Sequence, residues 1–138
     1  MTRKHLSFAI ALLLLAISCT LPVFSPANNN IQDYQKLSLV RIYYEARNTG
    51  NGNILNEVLA DDLFVSIVDS GWGKNEEITA SVGRKNKRYY KVHKIELSGL
   101  DGRVIADVTC YSLDTNQTHR ATAQFEIVRN KIVKILLF

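Results

Sequence analysis

Residues that form metal sites or covalent cross-links are scarce in this sequence. Its 138 residues include three histidines and two cysteines, Cys19 and Cys110. A zinc site needs three or four converging ligands, but His93 and His119 stand in predicted strands with no carboxylate or cysteine at ligand spacing. Cys110 is the only thiol in the region predicted to fold, which excludes a disulfide there. We therefore expect no metal site.

Motifs that hold nucleotides or activate nucleophiles are also missing. The chain contains no GxGxxG, P-loop, GxSxG or HExxH segment. It therefore lacks the glycine-rich loops that hold phosphates and the usual settings of a catalytic serine or zinc. We expect no cofactor.

The longest apolar run lies at the amino terminus. Arg3 and Lys4 precede residues 6–17 (LSFAIALLLLAI), a segment of twelve residues without a charge. This run is shorter than the roughly 20 residues that a membrane-spanning helix needs. A basic start followed by such a run is typical of a signal peptide, so residues 1–18 are predicted to be removed on export.

Two cleavage routes remain open. The segment AISC, residues 16–19, resembles a bacterial lipobox, which implies cleavage before Cys19 and lipid attachment to it. The segment SPA, residues 25–27, is a small-x-small site, and cleavage after residue 27 would release a soluble protein. Both routes place the domain outside the cytoplasm, either anchored as a lipoprotein of the bacterial cell envelope or secreted to the periplasm or beyond. We favour the membrane anchor through Cys19.

Charge of one sign is not in large excess. Removal of residues 1–18 takes away two basic residues and no acidic one, which leaves 15 basic and 13 acidic residues. This balance does not predict binding to nucleic acid. The one dense basic segment is residues 84–94 (RKNKRYYKVHK). We interpret it as a charged loop and solvated strand edge rather than a contact surface for anionic lipid or envelope polymer.

Helical periodicity begins after a predicted tether at residues 19–30, which holds both prolines. Apolar residues three or four positions apart predict a helix over residues 31–47. Glycines in residues 48–52 are expected to end it. Asn53 and Asn75 are predicted to cap two further short helices.

Strand periodicity dominates the second half. Residues 63–68 (LFVSIV) predict one short strand, and apolar residues alternate with polar ones from Arg88 onward, which predicts four antiparallel strands. Three helices followed by these strands predict one α+β domain over residues 31–138. Cys110 alternates with apolar residues, so we expect a buried, inert thiol.

The order of these elements resembles the nuclear transport factor 2-like superfamily, which includes the SnoaL-like polyketide cyclases and the ketosteroid isomerases. The segments that carry the resemblance are LADDLFVSI, GWG and KNEEITASV, residues 59–82. The resemblance covers residues 31–138. It implies an NTF2-like cone, in which a strongly curved, mainly antiparallel sheet wraps the first of three helices and leaves a pocket at its open end.

Within this resemblance, catalytic residues are largely missing. Asp61 and Asp62 fall at a solvated helix–strand junction, and neighbours on a strand point to opposite faces, so they are not predicted to act as an acid–base pair. Counting from them without gaps puts the oxyanion-donor tyrosine of the isomerases on Tyr43 and their general-base aspartate on Ile67. Isoleucine cannot accept a proton, and a single tyrosine is predicted to be a core residue with a satisfied hydroxyl.

We therefore expect a non-catalytic protein that binds a small apolar ligand in the cone or an envelope partner protein. The pocket is expected to involve Tyr43, Trp72 and Tyr111, with Trp72 partly exposed between two glycines at the rim. The alternative is a SnoaL-like enzyme of the isomerase, cyclase or hydrolase type, acting on a small hydrophobic substrate. Its catalytic candidates are Tyr43, Asp69 and Asp107.

The last predicted strand suggests an assembly state. In residues 131–138 (KIVKILLF) both alternating faces are apolar, whereas a strand with one solvated face carries more polar residues. This pattern predicts a homodimer that pairs sheet against sheet. The competing interpretation is that the strand is central and lies beneath a misplaced segment, such as residues 22–30.

Overall fold

The computed structural model describes residues 27–138, with side chains from residue 30 onward. The predicted signal peptide, Cys19 and most of the predicted tether therefore lie outside the described residues. Within the described residues three helices and six strands follow one another, beginning with α1, Ala27–Thr49. α1 starts four residues before the predicted helix, because extending an existing helix by one turn adds a hydrogen bond for each residue fixed. No helix within residues 27–138 is long and apolar enough to cross a bilayer.

Glycine and asparagine shape the connection from α1 to α2, Gly52–Val58. Gly50 has a φ of 64°, in the region that glycine favours, and a Cβ there would lie 2.9 Å from Lys85 Cβ. The N-cap of α2 is Asn51, whose Oδ1 accepts a hydrogen bond from the Ile54 N–H at 3.2 Å. The prediction that Asn53 caps this helix was wrong, because the chain already turns at Gly50.

The strands form one mixed sheet in the order β2-β1-β6-β5-β4-β3. Only the β1–β6 pair is parallel, and all other neighbours are antiparallel. The strands are β1, Leu59–Ile67; β2, Ser70–Trp72; β3, Arg88–Leu97; β4, Val104–Ser112; β5, Gln117–Val128; and β6, Lys131–Leu137. The predicted α+β class with a curved, mainly antiparallel sheet is confirmed.

The third helix begins where β2 ends. β2 was not predicted, because three residues are too few to show alternation. It pairs with β1 and brings Trp72 opposite Val65. α3, Lys74–Gly83, follows directly with Gly73 as its N-cap. Asn75, predicted as the cap, lies inside the helix because the pairing of β2 already fixes the turn at Gly73.

The three helices pack on one face of the sheet, and the core lies between them. From α1, the rings of Tyr43 and Tyr44 pack edge-on against Phe125 of β5, at centroid distances of 5.5 and 5.9 Å. Ile132 and Ile135 of β6 are both buried although they are three residues apart. The register shift between β5 and β6 permits this, because a bulge lets the strand turn a second residue inward.

β6 is a central strand, flanked by β1 and β5. The competing interpretation held that this strand is central. A central position accounts for part of its apolar content without a second subunit. On the outer face Leu136 lies between Ser66 and Gln124. The homodimer stays a prediction.

Candidate functional site

A pocket of about 390 Å³ lies between α1, the far end of α3 and the inner face of the sheet. One wall is apolar, because alternate residues of neighbouring strands face inward and are small or aliphatic there. This wall includes Ile67, Val108, Ala121, Leu137 and Phe138. The remaining lining residues are mostly polar or aromatic, and Trp72 of β2 and Tyr44 of α1 are among them.

Behind the pocket, a buried polar cluster surrounds Glu77 of α3, which is only 1% exposed. Its Oε1 accepts a hydrogen bond from the Tyr43 hydroxyl at 2.8 Å. Its Oε2 accepts one from the Trp72 indole N–H at 2.7 Å. The Ser81 hydroxyl, one turn further along α3, donates to Oε1 at 3.4 Å. The cluster therefore ties the single tryptophan of the chain to both α1 and α3.

Arg47 supplies the positive charge that Glu77 needs. Its guanidinium donates to the hydroxyls of Tyr43 at 3.1 Å and Tyr90 at 2.8 Å, and it lies over the Tyr90 ring at 4.2 Å. Arg47 Nε is 3.2 Å from Glu77 Oε1 without hydrogen-bond geometry. It is the one buried side-chain nitrogen or oxygen of residues 30–138 without a hydrogen bond. Arg47 also lines the pocket, so the cluster and the pocket share this side chain.

Burial alters the ionisation of the aromatic residues in this region. It raises the pKa of Tyr43 well above its usual value, and Arg47 opposes that rise. Burial likewise raises the pKa of Tyr44, again against the effect of Arg47. For Arg47, burial lowers the pKa, but the combined effect of Glu77 and the three neighbouring tyrosines raises it by more, so the net shift is upward. Both hydroxyls are therefore neutral and Arg47 is charged at any physiological pH.

The sequence prediction did not identify Glu77 as part of a cluster. A usable signal is present. Tyr43 and Arg47 stand four residues apart on α1, and Glu77 and Ser81 stand four apart on α3, so each pair shares one helix face. This spacing shows which side chains share a face of each helix, whereas the packing of the two faces against each other follows only from the fold.

Of the three predicted pocket residues, the structure places one in the pocket lining. Trp72 lines the pocket and is half-buried, as expected. Tyr43 is a core residue with a satisfied hydroxyl, as predicted for a tyrosine without a catalytic partner. Its neighbour Tyr44 lines the pocket instead. Tyr111 is not part of the lining, because Cys110 and Ser112 face the pocket and alternation turns Tyr111 to the outer face. There it pairs with Tyr89 of β3 at a centroid distance of 6.3 Å.

The predicted catalytic candidates do not come together. Asp69 is exposed in the turn between β1 and β2. Asp107 points away from the pocket, where a hydrogen bond from Arg120 lowers its pKa. Ile67, which the resemblance aligns with a general base, does line the pocket. The pocket wall at that position is therefore apolar.

A thiol and an imidazole lie in the pocket and were not predicted there. Cys110 of β4 is directly opposite His119 of β5, and both line the pocket. Cys110 is only partly buried, so the expectation of a buried thiol was wrong; the open end of the cone leaves this part of β4 uncovered. The other strand histidine, His93, hydrogen-bonds Thr109 at 2.7 Å. Within residues 30–138 no three potential metal ligands cluster.

Comparison with known proteins gives the fold. No family model and no curated protein matches this sequence. Among solved structures, an NTF2-like protein of unknown function from Cytophaga hutchinsonii is 18% identical, with 72% of this chain and 85% of that chain covered and a TM-score of 0.63. An LEH-like epoxide hydrolase from M. tuberculosis is 17% identical, with 75% and 81% covered and a TM-score of 0.64.

A third similar structure is a candidate ketosteroid isomerase from Kribbella flavida, 15% identical, with 76% of this chain and 77% of that chain covered and a TM-score of 0.66. Identities this low show the fold alone. The chain therefore has the NTF2-like cone fold that the sequence resemblance implies.

Proposed function

We propose that this protein is a non-catalytic binding protein that holds a small ligand with an apolar body in the cone pocket. The observation that carries the proposal is that the pocket wall is apolar at the position that the resemblance aligns with a general base. There Ile67 stands beside Leu137 on the neighbouring strand, so the wall offers a ligand contact area rather than a proton acceptor. The volume of about 390 Å³ falls in the range of roughly 300–1,000 Å³ found for small-molecule sites.

Two reporters already present in the pocket allow the proposal to be tested. Trp72 is the only tryptophan, so its fluorescence reports on the pocket directly. Alkylation of Cys110, located by peptide mass spectrometry, reports on access to the same space. Titration with decanol, a steroid and a naphthalene derivative should shift the emission of Trp72 and slow the alkylation of Cys110 for at least one compound. Saturating amounts of all three without either change would contradict the proposal.

A matched pair of variants separates pocket binding from surface binding. Ala121→Phe places a ring in the pocket, where Ala121 faces Val108. Thr122→Phe adds the same ring one residue further along β5, on the other face of the sheet. We expect Ala121→Phe to abolish the fluorescence response and Thr122→Phe to retain it. Equal responses would place the ligand outside the cone.

Export and anchoring form a separate part of the proposal. A basic start, an apolar run of twelve residues and the AISC segment support cleavage before Cys19 with lipid on its thiol. Intact mass measurement of the mature protein should show a lipidated amino terminus at Cys19, and the protein should fractionate with membranes. A soluble form that begins at Asn28 would indicate simple secretion, and a form that retains Met1 would contradict export.

An enzyme on a small hydrophobic substrate is the second candidate, and one observation favours it. Cys110 and His119 are cross-strand neighbours in the pocket, which places a thiol and an imidazole where a substrate would lie. Such an enzyme would use these residues rather than Asp69 or Asp107. Turnover of an epoxide or ketosteroid panel that disappears in His119→Gln, with Trp72 still reporting binding, would support it. Binding without turnover in the wild-type protein favours the first candidate.

A further inference from the structure

Charge is distributed unevenly around the pocket. Among the described residues that line it are three arginines, Arg47, Arg84 and Arg88, and no aspartate or glutamate. The charge of Arg47 is balanced by the buried Glu77. The excess of positive charge therefore comes from Arg84 and Arg88.

The backbone holds Arg84 and Arg88 close together. Arg84 is the C-cap of α3, and Arg88 is the first residue of β3. The Arg88 N–H donates to the Arg84 carbonyl at 3.1 Å, which closes one turn between them. Asn86 within this turn has a φ of 65°, a conformation that asparagine tolerates better than most residues. Two like charges are thus fixed at one edge of the pocket.

Neither of these two side chains has a partner within the part of the chain that carries described side chains. No ion pair or side-chain hydrogen bond joins Arg84 or Arg88 to any residue from 30 to 138. Some other surface arginines of the domain do pair with carboxylates, such as Arg120 with Asp107 and Arg103 with Asp101. No described side chain therefore occupies the donors of these guanidinium groups, and a group from outside the protein can bind them.

We propose that the ligand is an anionic amphiphile, with one carboxylate or a similar oxyanion at Arg84 and Arg88 and an apolar body against Ile67, Ala121 and Leu137. This inference rests on the proposed function of the pocket and names the chemical class of its ligand. A guanidinium presents two parallel N–H donors that match the two oxygens of a carboxylate. Apolar side chains in the same pocket reduce its contact with water, which strengthens that interaction relative to the open surface.

Decanoate and decanol provide a direct test, because they share a chain and differ in the head group. Binding of each to the purified wild-type protein is measured by Trp72 fluorescence and by calorimetry. We expect decanoate to bind at least about tenfold more tightly than decanol, as charge-assisted hydrogen bonds exceed neutral ones. The ratio should shrink as salt is raised, because part of the site is open to solvent. Decyl sulfate and decyl phosphate should behave as decanoate does.

Variants at the pocket edge locate the head group. Arg84→Gln and Arg88→Gln should each weaken decanoate several-fold and leave decanol unchanged, and the double variant should bind the two compounds equally. Lys87→Gln removes the same charge from the same turn outside the pocket lining, so it serves as the control and should retain the preference. If a variant fails to fold, the ratio of decanoate to decanol affinity in the wild-type protein still tests the inference.

The outcomes separate this inference from the proposed function. If decanoate and decanol bind equally and Ala121→Phe abolishes the binding of both, the anionic ligand is contradicted and the pocket proposal stays intact. A preference for decanoate that Lys87→Gln removes as completely as the double variant would also overturn it, since general surface charge would then be the cause. No binding of either compound would overturn both the inference and the proposed function.

Discussion

At the scale of single residues, Glu77 has the most demanding environment of the described residues. A buried carboxylate is stable only when charge and hydrogen bonds replace the water it has lost. Arg47 provides the charge, and Tyr43, Trp72 and Ser81 provide the donors. Because these partners come from α1, β2 and α3, the cluster links three elements at one point.

The hydroxyl of Tyr43 is the residue-scale feature with the clearest energetic consequence. It donates to Glu77 and accepts from Arg47, so Tyr43→Phe leaves two buried groups short of a partner. We expect a loss of about 1–3 kcal/mol in the free energy of unfolding, measured by denaturant titration. Tyr44→Phe is the matched control, because the Tyr44 hydroxyl makes no hydrogen bond within residues 30–138. A loss in the control as large as in Tyr43→Phe would contradict the role of the cluster.

The raised pKa of Tyr44 predicts a dependence on alkaline pH. Because its pKa is higher in the folded than in the unfolded state, the unfolded chain releases the proton first. The contribution to stability is therefore complete below about pH 10 and is lost as pH rises through the folded pKa. Between about pH 9 and about pH 11 the unfolding free energy of the wild-type protein should fall more steeply than that of Tyr44→Phe. Parallel pH curves would rule out a raised pKa.

How far these residues could be predicted depends on whether their partners are local. The core role of Tyr43 followed from its lack of a catalytic partner, and the half-exposed Trp72 followed from its flanking glycines. The Glu77 cluster required knowing how α1 and α3 face each other, which no local pattern contains. The same limit applies to Arg84 and Arg88, which the sequence placed in a solvated basic segment although the closure of the cone brings them to the pocket.

At the scale of elements, strand positions were predictable because period-two alternation is a direct consequence of the pleat. The boundaries of the elements and the helix caps were less predictable. The short strand β2 carries too few residues to show a period. Its pairing with β1 nevertheless decides where α3 begins and places Trp72 beside Glu77. The caps shifted by two residues at both short helices because tertiary turns, not the nearest asparagine, determine where a helix starts.

The cap of α2 offers an element-scale prediction with an internal control. Asn51→Ala removes the acceptor for the Ile54 N–H and should cost about 1 kcal/mol in the free energy of unfolding. Asn53→Ala changes the same residue type two positions later, inside the helix, where alanine has the higher propensity. We expect this variant to be neutral or slightly stabilising. Thermal and denaturant unfolding of both proteins measure the difference, and the reverse order of stability would restore Asn53 as the cap.

At the scale of the whole molecule, the outer face of the sheet is the surface left for a partner. Phe64 of β1 is 49% exposed, and Leu136 of the central strand β6 lies on the same sheet. Burial of such groups contributes about 25 cal/mol for each Å² removed from water. We propose that two copies pair through this face, as the apolar β6 sequence predicts.

Sedimentation tests the dimer. The protein should sediment as a dimer at tens of micromolar, and Leu136→Lys should convert it to a monomer, because a charge would then be buried in the interface. Leu113→Lys is the control, since Leu113 is an exposed leucine in the turn after β4. A wild-type monomer at this concentration would rule out the dimer. Dissociation by both variants would place the contact elsewhere.

The parallel pairing of β6 with β1 also bears on how the domain folds. Val65 and Ile135, which lie side by side, are 70 residues apart in the chain. Without β6, the sheet would separate into a β1–β2 hairpin and a three-stranded β3–β4–β5 meander. Local hairpins form in microseconds, but joining the two halves requires closing a long loop, and proteins rich in such non-local contacts fold in milliseconds to seconds. We therefore expect the cone and its pocket to form late in folding, when β6, the last strand of the chain, inserts beside β1, the first.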